Sequence, residues 1–399
     1  MNRANAKLGC ALAMVLGSAL LVAFSHSDAS EAEIVRSVAG NKLKREQCDL
    51  FAGEWLPNPF GPAYTNASCK LIEFTRDCLT NGRPDTGYLY WRWKPFGCEL
   101  PKFDAGKFLD LMRNKAWAFI GDSLLQNQRG SLLCLLSKRA FTNSLAYIDL
   151  QVEEAVEIYR EAFAFTIWYF PSYNFTVTDI CAPFLLKAEN EATDHTMLHL
   201  DALDAKWTNN YHKYDYIVIS GGMWFWRTAT FLENNAIVGC HNCAAAGQNA
   251  TEYGGDFSYR KALRLAFSFM LSSDHKPLVL FRTWNTEHYE FGGDGMLVCN
   301  RTVPYRAGEY DGRPTDHLMR GVEVEEFRRA AARSGARIRL VDTFRLSVLR
   351  PDAHMGLYWL VDRDPGDKTM NDCTHWCLPG AIDTWNDIAM EILMREGEF

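Results

Sequence analysis

The chain opens on an apolar run over residues 8–24, preceded by Arg3 and Lys7 and followed by Asp28, Glu31 and Glu33. That charge bias places the N-terminus in the cytosol and the remainder in a lumen. The run is at the short end for a membrane span, which suits the thinner membranes of the early secretory pathway. A signal peptide cut after Ala23-Phe24-Ser25 is the alternative. Residues 25–47 are polar, without apolar period, and read as a stem linker. Residues 48–102 are rich in Cys, Pro, Gly and aromatics and read as a loop-rich segment stapled onto the main domain. From Phe103 onward, apolar runs of strand length alternate with stretches of helical period. Strands are predicted at 116–120, 214–220, 277–282 and 337–341, and helices at 124–137, 257–271, 322–334 and 384–394. Leu125, Leu132 and Leu136 share one face of the first helix, and Gly335 is the expected stop of the third. This rhythm predicts an α/β fold: a mostly parallel central sheet flanked by helices on both faces. Ligands of such sheets sit past the carboxyl ends of the strands, where Ser123, Gly221-Gly222 and Arg282 all fall.

Composition narrows the chemistry. The 399 residues suffice for one large domain or two smaller ones. A formal net charge of −7 without a basic stripe argues against a nucleic-acid partner. Twelve cysteines are many for a cytosolic chain and would form disulfides in an oxidising compartment. Four glycosylation sequons, at Asn66, Asn174, Asn249 and Asn300, agree with a secretory route. The 12 tryptophans offer flat faces on which sugars stack, although most such rings serve as core. The Trp91-Arg92-Trp93-Lys94-Pro95 stretch is read in the second way, its rings burying against the body.

Two distant segments carry candidate catalytic residues. Gly121-Asp122-Ser123 lies between a predicted strand and a predicted helix, so the hydroxyl sits at the rim of the sheet among unpaired N–H groups suited to an oxyanion. The bland reading is an N-cap serine after a turn glycine. Asp372-Cys373-Thr374-His375-Trp376-Cys377 puts a carboxylate three residues before an imidazole, within one tight loop. A serine needs a base, and a histidine base needs a carboxylate to fix its tautomer. A surface polar pair and a zinc cluster at Cys373, His375 and Cys377 are the alternatives. After the strand at 214–220, Gly221-Gly222 would let backbone N–H groups approach an oxyanion closely, or would serve a turn of positive φ. Arg282 and His288 follow the third strand. His288 lacks a carboxylate at tight spacing, so His375 is taken as the base.

The flanks are more specific. Gly121-Asp122-Ser123-Leu124, Asn127-Gln128, Ser131-Leu132-Leu133-Cys134 and the closing stretch 371–379 resemble the plant trichome-birefringence-like family of polysaccharide O-acetyltransferases, in the GDS-type hydrolase group. The resemblance runs from about Cys48 to the C-terminus. It implies a GDS/SGNH-hydrolase-like fold with a disulfide-rich N-terminal segment. It also implies a single-pass type II Golgi membrane protein: tail 1–7, anchor 8–24, stem 25–47, Cys-rich segment 48–102 and a luminal acyltransferase domain 103–399. Ser123, Asp372 and His375 would be catalytic, with the N–H groups of Ser123 and Gly222 as oxyanion donors. Arg282 matches a family arginine and would bind acceptor or support the site; Asn127, Trp224 and His288 are further candidates for substrate binding. The family pattern implies disulfides Cys48–Cys98, Cys69–Cys134, Cys78–Cys377 and Cys299–Cys373. Cys240-His241-Asn242-Cys243 is then read as a structural clasp, with a redox pair as the alternative, and Cys181 as the spare thiol.

The expected chemistry is a two-step acyl transfer through an acetyl-serine. It calls for no metal and no organic cofactor, the acetyl donor being a substrate. The expected partners are that donor, a cell-wall polysaccharide acceptor and a membrane holding the anchor; the sequence is silent on oligomeric state. The Arg83-Pro84-Asp85-Thr86-Gly87-Tyr88 lead-in and the Gly239-Cys240-His241-Asn242-Cys243 loop resemble the branch acting on galactosyl hydroxyls of xyloglucan. Mannan or xylan acetylation, a carbohydrate acetylesterase and a non-catalytic glycan-binding protein are the alternatives. Gln126 stands where the family usually has Arg, and Met223 where it often has His. Both imply altered acceptor choice through lost polar reach at the rim.

Overall fold

The structure is a computed structural model and describes residues 48–137, 155–161, 164–190, 194–291, 297–333, 335–359 and 371–397. The apolar run and stem expected before Cys48 lie outside the described residues; among those described, no helix is long and apolar enough to cross a membrane. The chain divides into two compact units. The described part of the smaller is Cys48, Asp49 and Phe96–Cys98, tied by the Cys48–Cys98 disulfide. The larger spans Leu50–Pro95 and Glu99–Phe399.

The larger unit is organised on a seven-stranded sheet. Its order is Ile338–Val341, Leu278–Arg282, Tyr216–Ile219, Ala116–Gly121, Phe175–Cys181, Phe165–Phe170, Val156–Glu161. The first five strands are parallel and the last two antiparallel to their neighbours. Strands buried on both faces read as continuous apolar runs, which is why the central ones were legible. Ala118, Ile120, Ile217, Ile219, Val279 and Phe281 point to one face and cluster with residues of the Gly255–Ser272 and Pro314–Ala331 helices. The Ser123–Leu136 and Asp383–Arg395 helices pack together and contribute nothing to that cluster; they cover the opposite face. Ala116–Gly121 has the next parallel strand along the chain, Phe175–Cys181, on one side and the later parallel strand Tyr216–Ile219 on the other. The order reverses there, and the crevice past its carboxyl end is where such sheets bind ligands.

Several elements escaped the sequence pattern. A second sheet, in the order Ala236–His241, Ala229–Glu233, Thr196–Leu203, Leu186–Glu189, was not predicted. Neither was the antiparallel edge formed by Phe165–Phe170 and Phe175–Cys181, which turns at Asn174 with φ 47°. The helix expected at 322–334 runs over Pro314–Ala331. Pro314 sits in its first turn, and the Asp316 carboxylate accepts the Arg313 N–H at 2.8 Å. It ends four residues before Gly335, so that glycine is not its stop.

The segment read as loop-rich contains a hairpin of Gly53–Pro57 with Trp91–Pro95. Trp55 pairs with Trp93 across it, ring centroids 5.6 Å apart, and both are buried. Their indole N–H groups donate to the carbonyls of Leu346 and Leu50. Cys69–Cys134 ties this segment to the Ser123–Leu136 helix, and Cys78–Cys377 ties it to the C-terminal stretch. Of the sequon asparagines, Asn174, Asn249 and Asn300 are exposed and Asn66 is half-buried.

Candidate active site

The turn after Ala116–Gly121 is shaped by a close approach: a Cβ on Gly121 would lie 2.1 Å from the Ser220 carbonyl oxygen, so only glycine fits. Asp122, not Ser123, caps the following helix, its carboxylate accepting the Leu124 N–H at 3.1 Å. Ser123 is the first helical residue, and the capping job that competes for a serine hydroxyl is done by its neighbour. Its Oγ lies 2.7 Å from His375 Nε2.

Asp372 and His375 sit on a short strand, Asp372–Trp376, paired antiparallel with His354–Gly356, rather than in the loop the sequence suggested. Asp372 Oδ2 lies 2.7 Å from His375 Nδ1, and Oδ1 accepts the N–H groups of Thr374 at 3.0 Å and His375 at 2.9 Å. Burial pushes this carboxyl up, but the bonds to His375 and to these N–H groups outweigh it and hold the group at about 2. Asp372 is therefore ionised and accepts the Nδ1 proton of His375, leaving Nε2 to accept from the Ser123 hydroxyl.

The strand carrying His375 is fastened on every side. The Cys299–Cys373 and Cys78–Cys377 disulfides flank the imidazole in sequence. The Asn127 amide bonds both main-chain polar atoms of Trp376. His354 Nδ1 donates to the His375 carbonyl at 3.0 Å, and its ring stacks on Trp376 with centroids 4.1 Å apart. With both thiols in disulfides and the imidazole between Ser123 and Asp372, the zinc alternative at Cys373, His375 and Cys377 has no ligand set. Cys240 and Cys243 are likewise joined to each other, and Cys181 lies outside the five disulfides.

A cleft of about 460 Å³ opens over the serine and the imidazole, walled by Met223, Trp224, Arg227 and Tyr289. Of the four residues expected to bind substrate, only Trp224 lines it. Arg282 is 1% exposed and faces Asp122 and Glu323 beneath the site, where burial lowers the pKa of its guanidinium against their attraction. Asn127 is fully buried with its amide spent on Trp376. His288 is buried too, its ring nitrogens 2.7 Å from His354 Nε2 and 2.9 Å from the Val348 carbonyl. Gln126 is also away from the rim, bonded to the buried Asp179, whereas Met223 is in the cleft wall. A larger cavity of about 670 Å³, lined by Phe60, Trp91 and Trp93, contains none of Ser123, Asp372 and His375.

Gly222 takes φ +118°, and a Cβ there would press on the Trp284 ring at 3.0 Å. Among the described residues no protein acceptor takes the N–H of Gly222 or of Ser123. Sequence reasoning missed Arg227 and Tyr289, which lie in no recognisable motif. It also missed Tyr259 and Glu323, which sit mid-helix where their period marks them as core.

Comparison with known proteins gives one answer over residues 46–392. The family model described as PC-Esterase, the GDSL/SGNH-like acyl-esterase family found in Pmr5 and Cas1p, matches residues 100–392, and the PMR5 N terminal domain matches residues 46–99. Protein trichome birefringence-like 26 of Arabidopsis thaliana is 48% identical over 372 residues, covering 91% of this chain and 81% of that protein. Xyloglucan O-acetyltransferase 1 of the same plant is 38% identical over 386 residues, covering 95% and 88%. Xyloglucan O-acetyltransferase 1 of Populus trichocarpa is 36% identical, covering 87% and 81%.

Proposed function

The chain belongs to the GDSL/SGNH-like acyl-esterase family found in Pmr5 and Cas1p, and from that premise we propose that it is a polysaccharide O-acetyltransferase working through an acetyl-serine. The observation that carries the reading is the unbroken line from Ser123 Oγ through His375 to Asp372, two contacts of 2.7 Å each. His375 Nε2 takes the serine proton as Oγ attacks the acetyl carbonyl of the donor. The ionised Asp372 stabilises the imidazolium that forms. The tetrahedral oxygen gathers negative charge against the N–H groups of Ser123 and Gly222. Each such donor is worth roughly 3 kcal/mol of barrier. Collapse expels the donor's leaving group, which takes the proton from His375. In the second half His375 deprotonates a sugar hydroxyl in the cleft, and that oxygen takes the acetyl group from Ser123.

Xyloglucan is the acceptor favoured by the relatives. The Arg83 lead-in and the Cys240–Cys243 loop do not line the cleft, so they bear on acceptor choice indirectly at most. The same machinery hydrolyses the acetyl-serine if water replaces the sugar, and the His375 side chain is 23% exposed. The test is a radiolabelled acetyl donor given to purified protein with and without xyloglucan, mannan or xylan. Label should pass to xyloglucan, and Ser123→Ala should lose at least about a thousandfold in rate. Rapid release of free acetate with no transfer to any glycan would make the protein an esterase. Full activity in Ser123→Ala would remove the acetyl-serine.

A further inference from the structure

Beneath Gly222 lies a hydrogen-bonded chain that the acyl-transfer chemistry leaves unused. Tyr259, fully buried on the Gly255–Ser272 helix, has its hydroxyl oxygen 3.2 Å from the Gly221 carbonyl oxygen and 2.7 Å from Glu323 Oε1. Glu323, fully buried on the Pro314–Ala331 helix, accepts the Trp284 N–H on its other oxygen at 2.7 Å.

Counting protons decides how this chain runs. The tyrosine has one O–H. The Gly221 carbonyl can only accept, and an ionised Glu323 could only accept as well. With Glu323 charged, one of the two would be left without a donor. With Glu323 neutral every group is matched: its Oε1–H donates to the tyrosine oxygen, and the tyrosine O–H passes on to Gly221. The surroundings agree. Burial raises the Glu323 carboxyl to about 8, with the Tyr259 and Trp284 bonds and Arg282 pulling down and Asp342 pushing up. The charges facing this group are Arg282 from the adjoining strand and Asp342 with its ion-pair partner Arg320, while Asp122 acts on Tyr259.

The carbonyl of Gly221 and the N–H of Gly222 belong to one peptide unit. In a trans peptide these two groups point opposite ways. A donor fixing the carbonyl on the Tyr259 side therefore aims the N–H away from Tyr259. The rings of Tyr259 and Trp284 also wall the Cα of Gly222, at 3.3 and 3.0 Å from where a Cβ would sit. We infer that Tyr259 and a neutral Glu323 are positioning residues that hold the Gly221–Gly222 peptide with its N–H presented to the oxyanion. This rests on the reading above of Gly222 as an oxyanion donor. Ionisation of Glu323 turns the tyrosine proton toward the carboxylate, frees the Gly221 carbonyl and lets the donor drift.

The test measures modification of Ser123 by an alkyl fluorophosphonate, whose tetrahedral adduct uses the oxyanion donors without needing acceptor glycan, together with kcat against pH. Tyr259→Phe, which keeps the ring, should react with the probe about 10- to 100-fold more slowly, with kcat lowered to match and donor KM little changed. Glu323→Gln offers an N–H to Tyr259 and an acceptor to Trp284. It should keep near wild-type rates at pH 7 and lose the alkaline fall near pH 8 that wild type shows. Glu323→Leu should resemble Tyr259→Phe. A folded Tyr259→Phe labelled as fast as wild type would overturn the inference. So would an unchanged alkaline limb in Glu323→Gln, a result available even if the tyrosine variant misfolds. Failure of wild type itself to label at Ser123 would instead bring down the catalytic reading.

Discussion

The side-chain amide of Asn127 grips Trp376 at both of its main-chain polar atoms: Oδ1 accepts the N–H at 2.8 Å and Nδ2 donates to the carbonyl at 3.1 Å. The two residues are 249 positions apart, and Trp376 follows His375 directly. Asn127 lies one helical turn after Ser123, so the helix that carries the hydroxyl also holds the strand that carries the imidazole. Asn127→Ala would leave a buried N–H and a buried carbonyl unpaired, each costing about 1–3 kcal/mol. Denaturant unfolding should show a summed loss of about 2–6 kcal/mol. Turnover should fall roughly tenfold or more as His375 loses its register against Ser123. A variant matching wild type in both measurements would show that the clamp holds nothing.

Asp372 makes stability depend on acid. Its carboxyl is held at about 2 in the folded chain, below the ordinary value of about 3.9. Because the folded value is the lower one, the unfolded chain binds the proton first as pH drops. The stabilisation is complete above about pH 4 and is lost as pH falls through about 2. It amounts to about 2–3 kcal/mol at neutral pH. Asp372→Asn should give up that stability at pH 7 and show a flatter melting profile between pH 4 and pH 2. Its turnover should fall about 10³- to 10⁴-fold, since an amide no longer holds His375 in the required tautomer. An acid profile parallel to that of wild type would mean that Asp372 is not the group responsible.

These two residues mark what could and could not be read along the chain. Ser123, Asp372 and His375 stood out because motif spacing is local. The central strands stood out because burial on both faces leaves no polar positions to blur the run. The Pro314–Ala331 helix lost its first two turns in the sequence pattern because there Asp316 is buried while Leu318 is exposed, so apolar positions do not mark the buried face. The second sheet was invisible because strands such as Thr196–Leu203 mix His, Asp and Leu, and the parallel pairing that joins its two hairpins, Thr196–Leu203 with Ala229–Glu233, links segments separated by another strand and a helix. Asn127 and His288 look like rim polar residues in one dimension. Only the fold shows them buried, with their hydrogen bonds turned onto the main chain beside His375 and onto Val348.

The five disulfides among the described residues differ in what they constrain. Cys299–Cys373 spans 74 residues and places one end between Asp372 and His375, whereas Cys240–Cys243 spans three. On a chain-entropy account the first restrains the unfolded chain by about 4 kcal/mol and the second by about 1.5 kcal/mol. The double change Cys299→Ser/Cys373→Ser should therefore lower the melting temperature strongly and slow turnover. Cys240→Ser/Cys243→Ser should cost little stability and leave turnover near wild type. Equal effects of the two pairs on turnover would mean that the disulfide beside His375 contributes stability alone.

Trp224 is one of the aromatic residues walling the cleft that holds Ser123 and His375, beside Tyr289 and Trp359. Its ring carries the Arg227 guanidinium 4.4 Å from its centroid, and the Phe184 ring meets it edge-on at 89°. These contacts fix the indole, so its contribution to a bound sugar costs little ordering of the side chain. Removing such a surface weakens stacking by about 1 kcal/mol. Trp224→Ala should raise the acceptor KM about three- to tenfold, and Trp224→Phe should recover much of the difference. Acetate release in the absence of acceptor reads only the first half-reaction, so it separates the two possible roles of this wall. If it is unchanged in Trp224→Ala, the indole serves the acceptor. If it slows in proportion, the indole packs against the acetyl donor, and acceptor selection must be sought in Met223 and Tyr289.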